Sequence, residues 1–421
     1  MKIYLVGGAV RDELLSRRVT DRDYVVVGAT HEQMIAQGFT QVGAAFPVYL
    51  HPATGEEYAL ARTERKVGDG HKGFETFFSP DVTLEEDLSR RDLTINAMAK
   101  DLDTGEIIDP FNGQADLRRK ILRHTTEAFM DDPLRILRMF RFASQLGETW
   151  RIAGVTWHLA FTNRHRLVEI SPERKWKEME KALNTRNFMQ YAESMSTFGE
   201  LPELYDQIGV QQPKEHHPEG DAFAHTLRCL EECDRYSMSP EVKFAVLCHD
   251  FGKVVTWKER GDLLGHEAAG VPITKSFCER MRVPKVYEEL ALVVTEFHMD
   301  MHTMVGRPGQ NDKKPNKVMK LLERTGSLKN NRRAIDFANA CSMDQAGRGL
   351  PKSWLKPYPQ ADIFLACQAA VVSLDVKPIS ARLLERGVPG IQIGEAIRVE
   401  RIDAIRKTLR ECKEMRDGKE S

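Results

Sequence analysis

Two kinds of hydrophobic spacing divide this chain. Over the first hundred or so residues, short apolar runs alternate with stretches of helical spacing. Ile3–Val6, Tyr24–Val27 and Glu57–Ala61 are apolar or β-branched runs that predict strands, and Val10–Leu15 carries the spacing of a helix. Gly, Pro and Asp punctuate these pieces. After about Asp131 the period becomes helical, as in Leu134–Ala143 with its Leu, Ile, Leu, Met, Phe and Phe. Ser171-Pro172 and Ser239-Pro240 each read as an N-cap followed by proline in the first helical turn. The rest of the chain reads as helix. Loops rich in Pro, Gly, Lys or Asp fall at Pro213–Asp221, Gly306–Lys317 and Gly347–Gln360. The pattern predicts an α+β, mostly helical protein. Its expected divisions are 1–140, 141–215, 216–348 and 349–421.

Length agrees with several units: 421 residues exceed one ordinary domain. Hydrophobic residues make up 41% and charged residues 29%, which suits a globular chain. No apolar run approaches the roughly 20 residues that span a bilayer, so no membrane is expected. The formal net charge is −1, so any nucleic-acid surface has to be a local patch. Seven cysteines, an odd number without a CxxC pair, predict free thiols in a reducing cytoplasm.

The candidate chemistry begins at the amino end. Leu5-Val6-Gly7-Gly8-Ala9-Val10-Arg11-Asp12 reads as a strand turning through two glycines into a helix. Glycine lets backbone approach a phosphate, and a helix N-terminus offers amide donors. Arg11, one turn in, is placed to reach the same phosphate. Asp21 and Asp23 follow, two apart and leading into a strand, which would aim both at one face. Two carboxylates so close repel unless a divalent cation lies between them; Mg²⁺ prefers such oxygen ligands together with substrate phosphates. A pair of such ions can activate a hydroxyl and stabilise leaving pyrophosphate. Glu57 is the candidate third carboxylate, with Glu56 the choice if the strand register shifts by one.

Arg90-Arg91-Asp92-Leu93-Thr94-Ile95-Asn96 supplies guanidinium forks for phosphate. If it is helical, Asp92 and Asn96 share a face and suit ribose hydroxyls. Asp132, Arg135 and Arg138 are spaced by three, so a helix would align them. Cytosine and adenine each present an exocyclic amine beside an unprotonated ring nitrogen. An aspartate that accepts and an arginine that donates match that edge and oppose uracil and guanine. Taken singly, each of these motifs also reads as an ordinary turn or surface ion pair.

Together the motifs resemble the bacterial class II tRNA nucleotidyltransferase family: LVGGAVRD with Asp21-Arg22-Asp23, RRDLTINA, DPFNGQADLR at Asp109–Arg118, DDPLRILRMFRFA at Asp131–Ala143 and SPERKWKEMEKAL at Ser171–Leu183. The resemblance implies a small mixed-sheet, polymerase β-like catalytic domain followed by helical neck, body and tail. It implies template-independent addition of CCA to tRNA from CTP and ATP. Gly8 and Arg11 would meet nucleotide phosphates, Asp21 and Asp23 would bind Mg²⁺, and Arg91 would hold triphosphate and sugar. Asp132 and Arg135 would act as the base template, with Arg138 in the same site. Partners would be tRNA, CTP and ATP, with the chain acting as a monomer or homodimer. Two departures stand out: Ser16 occupies a position where the family often has glycine, and Asp131 one where it often has glutamate. The element that switches C to A is placed in Val67–Phe78.

The second half carries His225, then His249-Asp250 within Phe244–Lys253 (FAVLCHDFGK), then Asp344. Such a set on separate helices can chelate a divalent metal and activate water. His266 and His298 are further candidates, whereas His216, His217 and His302 have only proximity in their favour. The series resembles the HD domain of longer family members and implies phosphohydrolase chemistry on phosphomonoesters or 2′,3′-cyclic phosphates. Imidazole ligands suit Ni²⁺, Mn²⁺, Co²⁺ or Zn²⁺ as well as Mg²⁺. A poly(A) polymerase shares the front motifs, and nucleotide choice separates it from a CCA-adding enzyme. The basic run Lys313, Lys314, Lys317 and Lys320 suits phosphate, or simply a solvated helix face.

Overall fold

In a computed structural model, every residue is described except 43–47, 67–73, 216, 307–313, 349–357 and 418–421. The chain divides into two compact units, Met1–Met179 and Glu180–Ser421.

The first unit is built on a mixed sheet. Its strands, with those of a separate hairpin, are β1 (Lys2–Val6), β2 (Asp23–Val27), β3 (Thr40–Val42), β4 (Val48–Leu50), β5 (Glu57–Leu60), β6 (Arg62–Lys66), β7 (Phe74–Phe78), β8 (Ala99–Asp101) and β9 (Ile107–Ile108). The sheet order is β3-β4-β5-β2-β1-β8-β9, and β6 pairs with β7 apart from it. β1 runs antiparallel to β2 and β8, while β2 and β5 are parallel. Alternation sends Tyr4, Val6 and Val25 to one face, where they join Ala61, Val82, Leu88 and Ala99 in a buried cluster. Tyr24 and Tyr58 face the other way and stack at 4.4 Å. The predicted strands and the helix after the glycines appear within a residue or two of their expected ends, and helix Leu134–Leu146 contains the predicted Leu134–Ala143.

The remainder is helical except for one short parallel pair in the first unit, Ile121–Leu122 with Arg151–Ile152, the second strand of which interrupts the stretch expected to be all helix. In the second unit, helices Ala222–Arg235, Pro240–Cys248, His266–Met281, Lys285–His302 and Asn331–Ala346 pack into one core. Ser239 caps the second of these through Val242 N, with Pro240 in its first turn. Gly252 explains a close crossing: a Cβ there would lie 1.9 Å from the carbonyl of His266. Only glycine lets helix His266–Met281 approach the turn after Asp250 this nearly.

No single described helix is long and apolar enough to cross a membrane.

Candidate active sites

β1 ends at Val6 and turns through Gly7, whose φ is +72°. The backbone angle favours glycine, and a Cβ on Gly7 would meet Arg91 Nη1 at 2.9 Å and displace the guanidinium. Gly8 then opens helix Gly8–Leu14, which carries Arg11 inward, and Arg11 is 4% exposed. Arg11 Nε and Nη2 each donate to Asp12 at 2.9 Å, and its Nη1 donates to Asn96 Oδ1 at 2.8 Å. Asn96 Nδ2 donates to Asp92 Oδ1 at 3.0 Å. Asp92 Oδ2 accepts from Arg138 Nε at 2.8 Å and Nη2 at 2.7 Å. A continuous chain therefore runs from Arg11 through Asn96 and Asp92 to Arg138. The Phe142 ring lies beneath it, with Arg11, Arg138 and Arg141 at 5.2, 5.5 and 4.2 Å from its centroid.

Burial by itself would raise the Asp92 carboxyl. The Arg138 guanidinium and the Asn96 amide outweigh it and hold the group well below the usual carboxylate range. Asp87, also buried, behaves alike: Arg90 Nη2 lies at 2.6 Å and Arg91 Nη2 at 3.3 Å, and they lower it against the effect of burial. Asp87 thus positions Arg91. The Nε of Arg91 is buried and makes no hydrogen bond to any described residue.

The DPFNGQADLR motif turns out to brace this constellation. Asp109 accepts from Gly113 N at 2.7 Å and Gln114 N at 2.9 Å, starting helix Gly113–Arg119. A Cβ on Gly113 would stand 2.3 Å from the Thr94 carbonyl. Asp116 accepts from Thr94 Oγ1 at 2.8 Å. The turn that bears Asn96 is held from below by this motif.

Three local expectations change. Asp92 and Asn96 meet through a single 3₁₀ turn, Thr94–Asn96, rather than along an α-helix. β2 begins at Asp23, so Asp21 lies in the preceding loop and strand alternation does not relate the two. Asp132 does not lie on a helical face with Arg135 and Arg138, because the helix starts at Leu134 after Pro133. Instead Asp132 Oδ1 accepts from Leu134 N at 3.0 Å and its Oδ2 accepts from Arg174 Nη2 at 2.6 Å. Arg135 donates through Nη1 to the Ala128 carbonyl.

Asp21 and Asp23 are both exposed. In the parallel β2–β5 ladder Asp23 pairs with Glu57, so Glu57 shares its face and Glu56 does not. Carboxylates at the open end of two adjacent strands, near an arginine-lined turn, are a donor set that fits Mg²⁺. Of the stretch Val67–Phe78, 67–73 lie outside the described residues and Phe74–Phe78 forms β7 against β6. His216 and Lys313 also lie outside them.

The second constellation lies in the helical unit, and it gathers every histidine and aspartate predicted for it. His225 Nε2 is 3.0 Å from Asp344 Oδ1 and 3.8 Å from Asp250 Oδ2. His249 Nε2 is 3.0 Å from Asp250 Oδ2 yet makes no hydrogen bond, and Asp250 Oδ1 likewise has none. His266 and His298 face each other, Nε2 to Nε2 at 3.1 Å, with Asp250 Oδ1 at 3.4 and 3.8 Å. Carbonyls can only accept. Because His249, His266 and His298 each aim Nδ1 at one (Val246, Leu263 and Val294, at 2.7, 2.7 and 3.1 Å), the Nδ1 atoms carry the protons. In the neutral rings the Nε2 atoms are then all acceptors, pointed at one another and at carboxylates. Burial and the neighbouring rings hold His298 well below the usual histidine range, hence neutral. Buried acceptors converging without donors are what a cation satisfies, so the residues fit a divalent metal.

Asp250 and Asp344 stay ionised although burial opposes it. The Lys253 ammonium holds the first down, and a metal cation held by the cluster would favour the charged form of both. Lys253 Nζ reaches Asp250 Oδ2 at 2.5 Å and Gln212 Oε1 at 2.6 Å.

Some residues are not singled out by the sequence, and His302 is favoured there by proximity alone. His302 Nε2 sits 2.5 Å from Asp344 Oδ2, and its Nδ1 2.8 Å from the Tyr358 hydroxyl. Its spacing of four from His298 on one helix was the available signal. Phe142 and Asp87 carried no signal beyond apolar or acidic character, and Arg174 lay within a motif whose chemistry the spacing did not reveal.

Two family models match the chain: a poly A polymerase head domain over residues 3–123 and an HD domain over residues 222–344. The chain is 44% identical to the multifunctional CCA protein of Pseudomonas aeruginosa, covering 96% of this chain and 98% of that one. With the multifunctional CCA protein of Nitrosococcus oceani it shares 43% identity over 97% of its own length and 99% of the relative's. Among solved structures, the Bacillus stearothermophilus CCA-adding enzyme in complex with CTP superposes with a TM-score of 0.62 at 24% identity, covering 99% and 94% of the two chains. The Thermotoga maritima CCA-adding enzyme complexed with tRNA gives 0.61 at 20%, covering 98% and 90%. At such identities the structural likeness speaks for the fold.

Proposed function

This chain belongs to the multifunctional CCA protein family, and on that premise we propose that it adds and repairs the 3′-terminal CCA of tRNA from CTP and ATP. The observation that carries this reading is the buried chain from Arg11 through Asn96 and Asp92 to Arg138, held over Phe142 beside the glycine turn. It fixes two guanidiniums beside a glycine turn that follows Val6, the strand partner of Asp23, which in turn pairs with Glu57. Triphosphate binds against Gly8, Arg11 and Arg91, where fixed donors are prepaid in conformation. Asp132 and Arg135 read the base, and Arg174 aims the Asp132 carboxylate. A cytosine or adenine edge gives Asp132 a donor and Arg135 an acceptor; uracil and guanine reverse both and leave buried groups unpaired.

Asp21, Asp23 and Glu57 would hold Mg²⁺, which supplies activation of the tRNA 3′-hydroxyl and charge relief for the leaving pyrophosphate. The helical surface takes the tRNA, largely through phosphate contacts. In this reading residues 1–140 form the catalytic domain, 141–215 a neck and body, 216–348 the HD domain and 349–421 a tail. The seven cysteines are free thiols, which accords with a cytoplasmic protein.

We further read the second constellation as a metal-dependent phosphohydrolase centre acting on phosphomonoesters or 2′,3′-cyclic phosphates. His225, His249, Asp250 and Asp344 would hold a divalent ion such as Ni²⁺, Mn²⁺ or Co²⁺, with His266 and His298 beside Asp250. The ion supplies a nucleophilic water at neutral pH. Lys253 keeps Asp250 ionised and oriented.

Two variants test the pair of sites. Asp21→Ala is expected to abolish nucleotide incorporation and leave hydrolysis of a 2′,3′-cyclic phosphate intact; Asp250→Asn is expected to do the reverse. Loss of both activities in either folded variant would contradict two independent centres.

A further inference from the structure

The histidines of the HD cluster are not all anchored alike. His249, His266 and His298 give Nδ1 to main-chain carbonyls, whereas His225 gives it to a carboxylate, Glu219 Oε1, at 2.8 Å. The Glu219 side chain is 0% exposed. The same oxygen lies 2.8 Å from His217 Nδ1, and the His217 ring meets His225 edge-on with centroids 4.8 Å apart. Glu219 Oε2 is buried and makes no hydrogen bond to a described residue. The two imidazoles are therefore what this carboxylate is built around. Its backbone is fixed too: Asp221, two residues on, caps helix Ala222–Arg235 through Ala224 N at 2.9 Å and binds Gly209 N at 2.8 Å.

We propose that Glu219 is a positioning residue of the metal centre, which orients His225 and strengthens it as a ligand, with His217 holding the carboxylate in place. This rests on the reading of the cluster as a metal site. An ionised carboxylate keeps the His225 proton on Nδ1, so the Nε2 lone pair faces Asp344 and Asp250. It also pushes electron density into the ring, which a carbonyl does less strongly. His217 acts only through Glu219, so its loss weakens the site less than loss of the carboxylate.

Co²⁺ titration of the full chain, followed by its visible absorption, tests this. The signal that Asp344→Asn lacks is assigned to the cluster. Glu219→Gln is expected to weaken that binding by roughly 10- to 100-fold and to shift the absorption at saturation, with nucleotide incorporation unchanged. Glu219→Asp, which keeps the charge, is expected to retain more affinity than Glu219→Gln, and His217→Asn to lose less than either. Wild-type Co²⁺ affinity in Glu219→Gln, or equal losses in the Gln and Asp variants, would overturn the role given to Glu219. A wild-type protein that binds Co²⁺ no better than Asp344→Asn would overturn the metal centre itself and Glu219's role with it.

Discussion

Asp92→Asn removes one charge and little volume from the centre of the proposed nucleotidyl-transfer site. Asp92 is 7% exposed, and its two oxygens accept from Leu93 N, Asn96 Nδ2 and the Arg138 guanidinium. An amide can accept through only one oxygen, and its NH₂ must then face either another NH₂ or a guanidinium. Breaking a buried pair by removing one partner costs about 3–5 kcal/mol. Arg138 is 34% exposed and keeps part of its hydration, so a cost below that range, about 2–3 kcal/mol, is expected here. The damage extends beyond stability. Asn96 loses its anchor and with it part of the hold on Arg11, and Arg138 is freed, so two guanidiniums of the site are loosened at once. Misplacement by about 1 Å is enough to cost roughly 10²-fold in rate. Urea unfolding measures the first effect and single-turnover incorporation of one C measures the second. A variant with wild-type stability and a rate within about threefold of wild type would refute the idea that Asp92 organises the site.

Other consequences are as direct. Asp87 and Asp92 have folded-state pKa values below their unfolded ones. The stability they add is complete above about pH 4 and is lost as the pH falls further; wild type should therefore lose stability faster below that point than Asp92→Asn, and parallel acid curves would count against the assignment. Arg174→Ala frees the Asp132 carboxylate. Discrimination against UTP and GTP should fall by roughly tenfold, the worth of one charge-assisted hydrogen bond, as read from competing kcat/KM values; unchanged selectivity would remove Arg174 from base reading. Ser16 sits at φ 54° in the turn after the first helix. Ser16→Gly should relieve that conformation and raise stability by up to about 1 kcal/mol in urea unfolding, and a loss would mean that the serine side chain is needed there.

Much of this was legible in sequence because it rests on local rules. The glycine turn follows from backbone freedom, the strands from apolar runs, and the helical body from period. The HD cluster was legible because adjacent histidine and aspartate have few purely structural uses. What sequence could not show are the pairings across many residues. That Asn96 reaches Arg11 across 85 positions, or that Arg138 reaches Asp92 across 46, depends on how the sheet and helices assemble. The same holds for Glu219. It looks like a loop acid, and only the fold buries it between two imidazoles. Helical spacing misled where a motif straddled an element's end: Asp132 falls just before its helix, so it does not share a helical face with Arg135 and Arg138, and its carboxylate accepts from Leu134 N and Arg174 instead.

The central claim is tested most directly with the wild-type chain, Mg²⁺ and a tRNA transcript that stops just before CCA. CTP, ATP, UTP and GTP are supplied singly, then CTP with ATP. The account predicts two C additions from CTP alone, a terminal A only when ATP is also present, and no incorporation from UTP or GTP. A long A tail from ATP alone, or no incorporation by folded protein, would contradict it.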